Sequence, residues 1–148
     1  MRVLGVIPAR YGSTRFPGKL LAPLAGKALV LHTLDRAREA GSLERLVVAT
    51  DHEEIARVIE AAGGEARLTA PDLPSGSDRA ERVVRDLETE GAEFDIVVNI
   101  QGDEPFLPGA AIDRAVALLG TDGEVDLATL AVPTTGGEAE DPNVVKVV

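Results

Sequence analysis

The sequence predicts an α/β fold, a doubly wound and mostly parallel sheet with helices on both faces. Three observations predict it. Short apolar runs alternate with stretches of 3.6-residue periodicity almost throughout the chain, as βαβ units require. The main runs are continuous rather than alternating in polarity, as strands buried on both faces must be. The 148 residues, 45% hydrophobic and 27% charged, suffice for one domain with a sizeable core. Residues 1–148 are therefore read as a single α/β domain.

Residues 3–7 form the first buried strand, which Pro8 stops. From Pro8 to Pro23 three prolines and two glycines predict a long irregular loop, and loops of that length inside compact domains are usually functional or disordered. A helix over residues 28–40 follows, stopped by Gly41, and residues 46–49 are the second strand. Asp51 and Glu54 fit a capping box for a helix whose inner face is Ile55, Val58, Ile59 and Ala62, ended by Gly63 and Gly64. A short strand at 66–68 leads to a loop over 69–77, then to a helix with Ala80, Val83, Val84 and Leu87 inward. Residues 94–100 read as the next strand. Pro108 opens a last helix on Ile112, Ala115, Val116 and Leu119, and 127–132 and 144–148 read as further strands.

Several function classes are excluded by composition. No apolar run approaches the roughly 18 residues of a membrane span. The one apolar stretch near the start meets Arg10 at once, unlike a signal peptide. Cysteine is absent, so there is no disulfide framework or thiolate metal site, which suits a reducing cytoplasm. A net charge of −10 makes a poor general nucleic-acid binder. That charge is uneven: residues 1–34 hold Arg2, Arg10, Arg15, Lys19 and Lys27 and no acid at all. Screening acts over about 8 Å at physiological salt, so an anion in the first loop feels these bases rather than the distant acids.

In parallel sheets ligands sit beyond the carboxyl ends of the strands, which selects the loops 8–19, 69–77 and 101–105. The first combines glycines that let N–H groups approach oxygen, the hydroxyls of Ser13 and Thr14, and the donors Arg10, Arg15 and Lys19, as a polyphosphate needs. It is not a P-loop, because five residues separate Gly12 from Gly18 and Leu20 follows Lys19. The dinucleotide fingerprint G-x-G-x-x-G is absent too, and Asp51 is read as a helix cap rather than a ribose ligand. His32 and His52 are read as packing or surface residues. Tyr11 could stack on a base or pack the loop.

The stretch Ala9-Arg10-Tyr11-Gly12-Ser13-Thr14-Arg15-Phe16-Pro17-Gly18-Lys19 resembles the N-terminal motif of sugar-activating nucleotidyltransferases, above all the 3-deoxy-manno-octulosonate (Kdo) cytidylyltransferases, or CMP-Kdo synthetases. Three later stretches agree in order: Ser75-Gly76-Ser77-Asp78-Arg79, Asn99-Ile100-Gln101-Gly102-Asp103-Glu104-Pro105, and Pro142-Asn143-Val144-Val145-Lys146. The resemblance implies a Rossmann-like nucleotidyltransferase fold. It also implies transfer of CMP from CTP to the anomeric hydroxyl of Kdo, with release of pyrophosphate, for lipopolysaccharide biosynthesis. Arg10, Ser13, Thr14, Arg15 and Lys19 then hold the triphosphate, with Arg10, Arg15, Lys19 and Asp103 catalytic. Pro8, Ala9 and the Ser75-Gly76-Ser77 turn hold the cytidine, and Gln101 touches the sugar acid. Asp103 is the expected Mg²⁺ ligand, and Glu104, held extended by Pro105, is structural. Small-molecule substrates, no nucleic acid, no membrane and a homodimer of the full-length protein are implied as well.

The sequence stops inside the apolar residues 144–148, so a chain truncated at its C-terminus is expected; the resemblance implies that the missing part carries a second metal-binding Asp and much of the sugar pocket. Two alternatives stay open: another sugar nucleotidyltransferase, for sialic acid or a sugar phosphate, and a non-catalytic CTP-binding module.

Overall fold

The structure, a computed structural model, describes residues 1–12, 16–121, 125–134, 136–138, 140–142 and 144–147. Strand β1 (Val3–Ala9) lies at the centre. A 3₁₀ turn (Lys19–Leu21) leads to a ribbon of β2 (Pro23–Leu24) and β3 (Lys27–Ala28), then to helix α1 (Leu29–Arg38). Strand β4 (Arg45–Thr50), helix α2 (Glu53–Ala61) and strand β5 (Glu65–Leu68) follow. Helix α3 (Gly76–Thr89), strand β6 (Ile96–Asn99) and helix α4 (Gly109–Thr121) complete the regular elements.

The main sheet has the order β5-β4-β1-β6 and every pair in it is parallel. Side chains alternate across β1. Val3, Ile7 and Ala9 join Val30 and Leu34 of α1, Ile55 and Ile59 of α2, and Ile112 and Val116 of α4 in one core. Leu4 and Val6 join Val47, Ala49 and the Ala80, Val83 and Leu87 stripe of α3 on the other face. Helices thus cover both faces, as the apolar runs predict. The chain leaves β1 toward β4 and β5, then crosses back through α3 to β6 on the opposite side of β1. That reversal puts a topological switch point between β1 and β6, where ligands of such sheets bind.

Five sequence expectations need correction. Pro8 does not stop β1, which runs on to Ala9 in register with Thr50. The last ladder bond to β6 is Ile100 N–H to Val6 O at 2.8 Å. Beyond it β6 has turned away, so the donor that proline lacks has no acceptor to miss. Asp51 is not the cap of α2. His52 is, its Nδ1 accepting from Glu54 N–H at 3.3 Å. The Ser75-Gly76-Ser77 segment is not a turn but the start of α3, with Ser75 as N-cap accepting from Asp78 N–H at 3.2 Å. Residues 127–132 form no strand. Leu127 and Val132 are exposed, and an apolar run without a ladder partner has no reason to stay extended. Nor do residues 144–147 form one; Val148 lies outside the described residues.

Candidate functional site

At the carboxyl end of β1 two hollows meet. The first, about 220 Å³, is lined by Pro8, Arg10, Lys19, Leu20, Gln101, Gly102 and Asp103. The second, about 230 Å³, is lined by Pro8, Arg10, Leu73, Pro74, Ser75, Gly76, Arg79 and Gln101. Pro8, Arg10 and Gln101 belong to both, so the hollows form one groove across the switch point.

Local structure explains why Lys19 points into it. The Gly18 N–H donates to Tyr11 O at 3.0 Å, closing the loop at its base. Gly18 has φ 70°, and a Cβ there would lie 3.3 Å from the Tyr11 ring, so the position demands glycine. Leu20, buried in the core, then anchors the 3₁₀ turn and holds Lys19 on its rim. Its Nζ donates to Asp103 Oδ2 at 2.8 Å.

Asp103 is placed just as firmly. A Cβ on Gly102 would sit 2.8 Å from Pro8 O, so only glycine lets the loop after β6 close onto the end of β1. The buried Thr33 hydroxyl of α1 donates to Gly102 O at 2.9 Å and fixes the same peptide. Lys19 and Asp103, 84 residues apart in sequence, are thereby brought together.

Of the expected site residues, the structure brings Pro8, Arg10, Lys19, Ser75, Gly76, Gln101 and Asp103 to the groove. Ala9 presents only backbone, since its side chain is in the core. Ser77 faces away and accepts from Asn99 Nδ2 at 3.3 Å, beside the β6 edge. Ser13, Thr14 and Arg15 lie outside the described residues. Tyr11 packs the loop: its ring stacks on His52 at 3.9 Å between centroids. His32 shares a hydrogen bond of 2.7 Å with Leu24 O, tying α1 to the small ribbon.

Sequence reasoning missed Arg79, whose side chain is only 2% exposed. It hydrogen-bonds Thr69 Oγ1, donates to Ala70 O at 3.2 Å and faces Asp51 Oδ2 at 3.5 Å. The signal was present: Arg79 stands four residues before Val83 and eight before Leu87, on the inward stripe of α3.

The chemistry of this groove is that of an anion site with one carboxylate at its mouth. Among the described residues no three or more acidic or histidine side chains cluster as a protein-only metal cage. Asp103, half exposed, fits a cation that brings other oxygen ligands with it, as Mg²⁺ does when it binds through one or two carboxylates and substrate phosphates.

Fold and groove together define a doubly wound α/β domain with a ligand groove at its switch point. The chain belongs to the cytidylyltransferase family, whose model matches residues 4–148. It is 49% identical over its whole length to a 3-deoxy-manno-octulosonate cytidylyltransferase of Syntrophobacter fumaroxidans and 46% identical to that of Bdellovibrio bacteriovorus. It spans 59% and 58% of the length of those two curated relatives. Among solved structures it is similar to a CMP:2-keto-3-deoxy-manno-octonic acid synthetase complexed with CTP. The TM-score is 0.76 and the identity 34%, covering 84% of this chain and 50% of that one.

Proposed function

We propose that residues 1–148 are the nucleotide-binding part of an enzyme that transfers CMP from CTP to the anomeric hydroxyl of Kdo. The observation that carries this reading is the continuous groove: cationic at Arg10 and Lys19, carboxylate at Asp103, and bounded by Ser75 and Gly76 at the start of α3. The relatives of that name supply the substrate.

In the reaction the sugar oxygen forms a bond to the α-phosphorus as the bond to the pyrophosphate oxygen breaks, and the hydroxyl proton passes to solvent. The obstacle is repulsion between like charges, so positioning and charge neutralisation carry the catalysis. Arg10 and Lys19 hold the triphosphate by charge-assisted hydrogen bonds and neutralise charge passing to pyrophosphate. Arg15, Ser13 and Thr14 are assigned to the same task. The Pro8 and Ala9 backbone and the N-terminus of α3 at Ser75 and Gly76 receive the cytidine, and Gln101 orients the sugar acid. A fixed set of backbone partners selects cytosine because another base leaves them unpaired. Asp103 would hold Mg²⁺, which when bound offsets phosphate charge. Lys19 donates to that same carboxylate, so Mg²⁺ bound at Asp103 would compete with it for the oxygen. Action as a homodimer belongs to the same proposal.

The test is to incubate the protein as encoded with CTP, Kdo and Mg²⁺ and to measure pyrophosphate. Release that depends on Kdo supports the proposal. Release with a different sugar acid, and none with Kdo, overturns the substrate assignment.

A further inference from the structure

Asp51 stands outside the groove, yet its two oxygens serve the two halves of it. Oδ1 accepts the Tyr11 N–H at 2.8 Å, next to Arg10 of the groove. Oδ2 faces the Arg79 guanidinium at 3.5 Å. Arg79 in turn grips Thr69 and Ala70, where the chain enters the loop leading to Ser75. The Asp51 side chain is 11% exposed and Arg79 2%, so this contact is shielded from solvent. It is held from behind as well. Asp51 follows Thr50, the last residue of β4, whose carbonyl accepts from Thr69 N–H at 2.8 Å, and His52 stacks on Tyr11.

An acid that merely capped a helix would satisfy α2, but His52 does that. An acid that bound ribose would face the groove, but Asp51 lines neither hollow. We infer that Asp51 is a positioning residue that couples the phosphate half of the site to the cytidine half. One carboxylate fixes Tyr11 beside Arg10 and Arg79 beside the segment before Ser75, so a ligand that orders one half also orders the other. This rests on the nucleotide site proposed above. Coupling between two ligands is reciprocal, so each half-ligand must tighten the other by the same factor.

The experiment uses inorganic pyrophosphate and cytidine as separate probes, titrated by calorimetry into the protein as encoded, each alone and each with the other saturating. Wild type is expected to bind each about fivefold or more tightly in the presence of the other, the lower end of ordinary allosteric coupling. Asp51→Ala is expected to bring that ratio to one while both ligands still bind. Asp51→Asn keeps an acceptor for Tyr11 but presents no charge to Arg79. It must lower the ratio too, and it serves if the alanine variant does not fold. A purely structural role would lower the melting temperature and leave the ratio intact in the folded fraction. That result, or a wild-type ratio of one, overturns the inference. Binding of neither probe to wild type overturns the nucleotide site itself, a distinguishable failure.

Discussion

In the hollow beside Asp103 the charged groups are almost half exposed, Lys19 at 44% and Asp103 at 45% of their side-chain surface. The hollow beside Ser75 shares the exposed Arg10 and adds Arg79, 2% exposed and held by Thr69, Ala70 and Asp51. An exposed ion pair contributes up to about 1 kcal/mol to stability, so Lys19 and Asp103 can be pulled apart by a ligand at little cost to the fold. A buried cation cannot be released that way. One hollow is therefore built to rearrange around charge, the other to keep its shape.

Substitutions on the two sides should fail differently. Arg79→Ala leaves Asp51 without its shielded partner, and breaking such a pair costs about 3–5 kcal/mol. Denaturant titration should show that loss, and a loss under 1 kcal/mol would mean Arg79 does not hold the second hollow. Lys19→Ala and Asp103→Asn should each reduce turnover by about 100-fold or more, as removing a preorganised electrostatic group does. Their melting temperatures should stay close to wild type. Wild-type turnover in either variant would remove that residue from the site.

Between the hollows, Gly102→Ala forces a methyl group into Pro8 O. Overpacking of this kind costs about 1–3 kcal/mol, and the displaced Asp103 should lower turnover as well. An unchanged melting temperature would show that the loop yields freely.

The smallest effect concerns acid, away from the site. Arg45 lowers the Glu65 carboxyl, Arg67 lowers Glu90, and hydrogen bonds from Ser42 and the Gly41 N–H lower Asp113. Groups depressed in the folded state stabilise fully above their unfolded range, about pH 4–4.5, and cease to do so as pH falls through their folded values. The melting temperature should hold from about pH 7 to 5 and fall below about pH 4. Glu65→Gln should flatten that fall, since it removes one of the titrating groups.

Much of this was legible in the sequence. Continuous apolar runs at 3–7 and 46–49 announced a buried parallel sheet, and the acid-free residues 1–34 hold Arg10 and Lys19, which the fold brings to the groove. What stayed hidden depended on distance along the chain. Nothing local to Lys19 says that it meets Asp103, because Gly102, Thr33 and the β1–β6 pairing create that contact. Asp51 read as a cap because capping is decided by neighbours, whereas its partners Tyr11 and Arg79 lie 40 and 28 positions away in sequence. Residues 127–132 misled for the converse reason: an apolar run states a tendency, and a strand needs a partner.

The central claim is that one groove takes the triphosphate at Arg10 and Lys19 and the base at Ser75 and Gly76. A crystal structure of the protein with CTP and Mg²⁺ tests it most directly. The phosphates are predicted beside Arg10 and Lys19, with the Lys19–Asp103 contact opened and the cytosine against the start of α3. A nucleotide bound elsewhere, with Lys19 still donating to Asp103, would contradict the account.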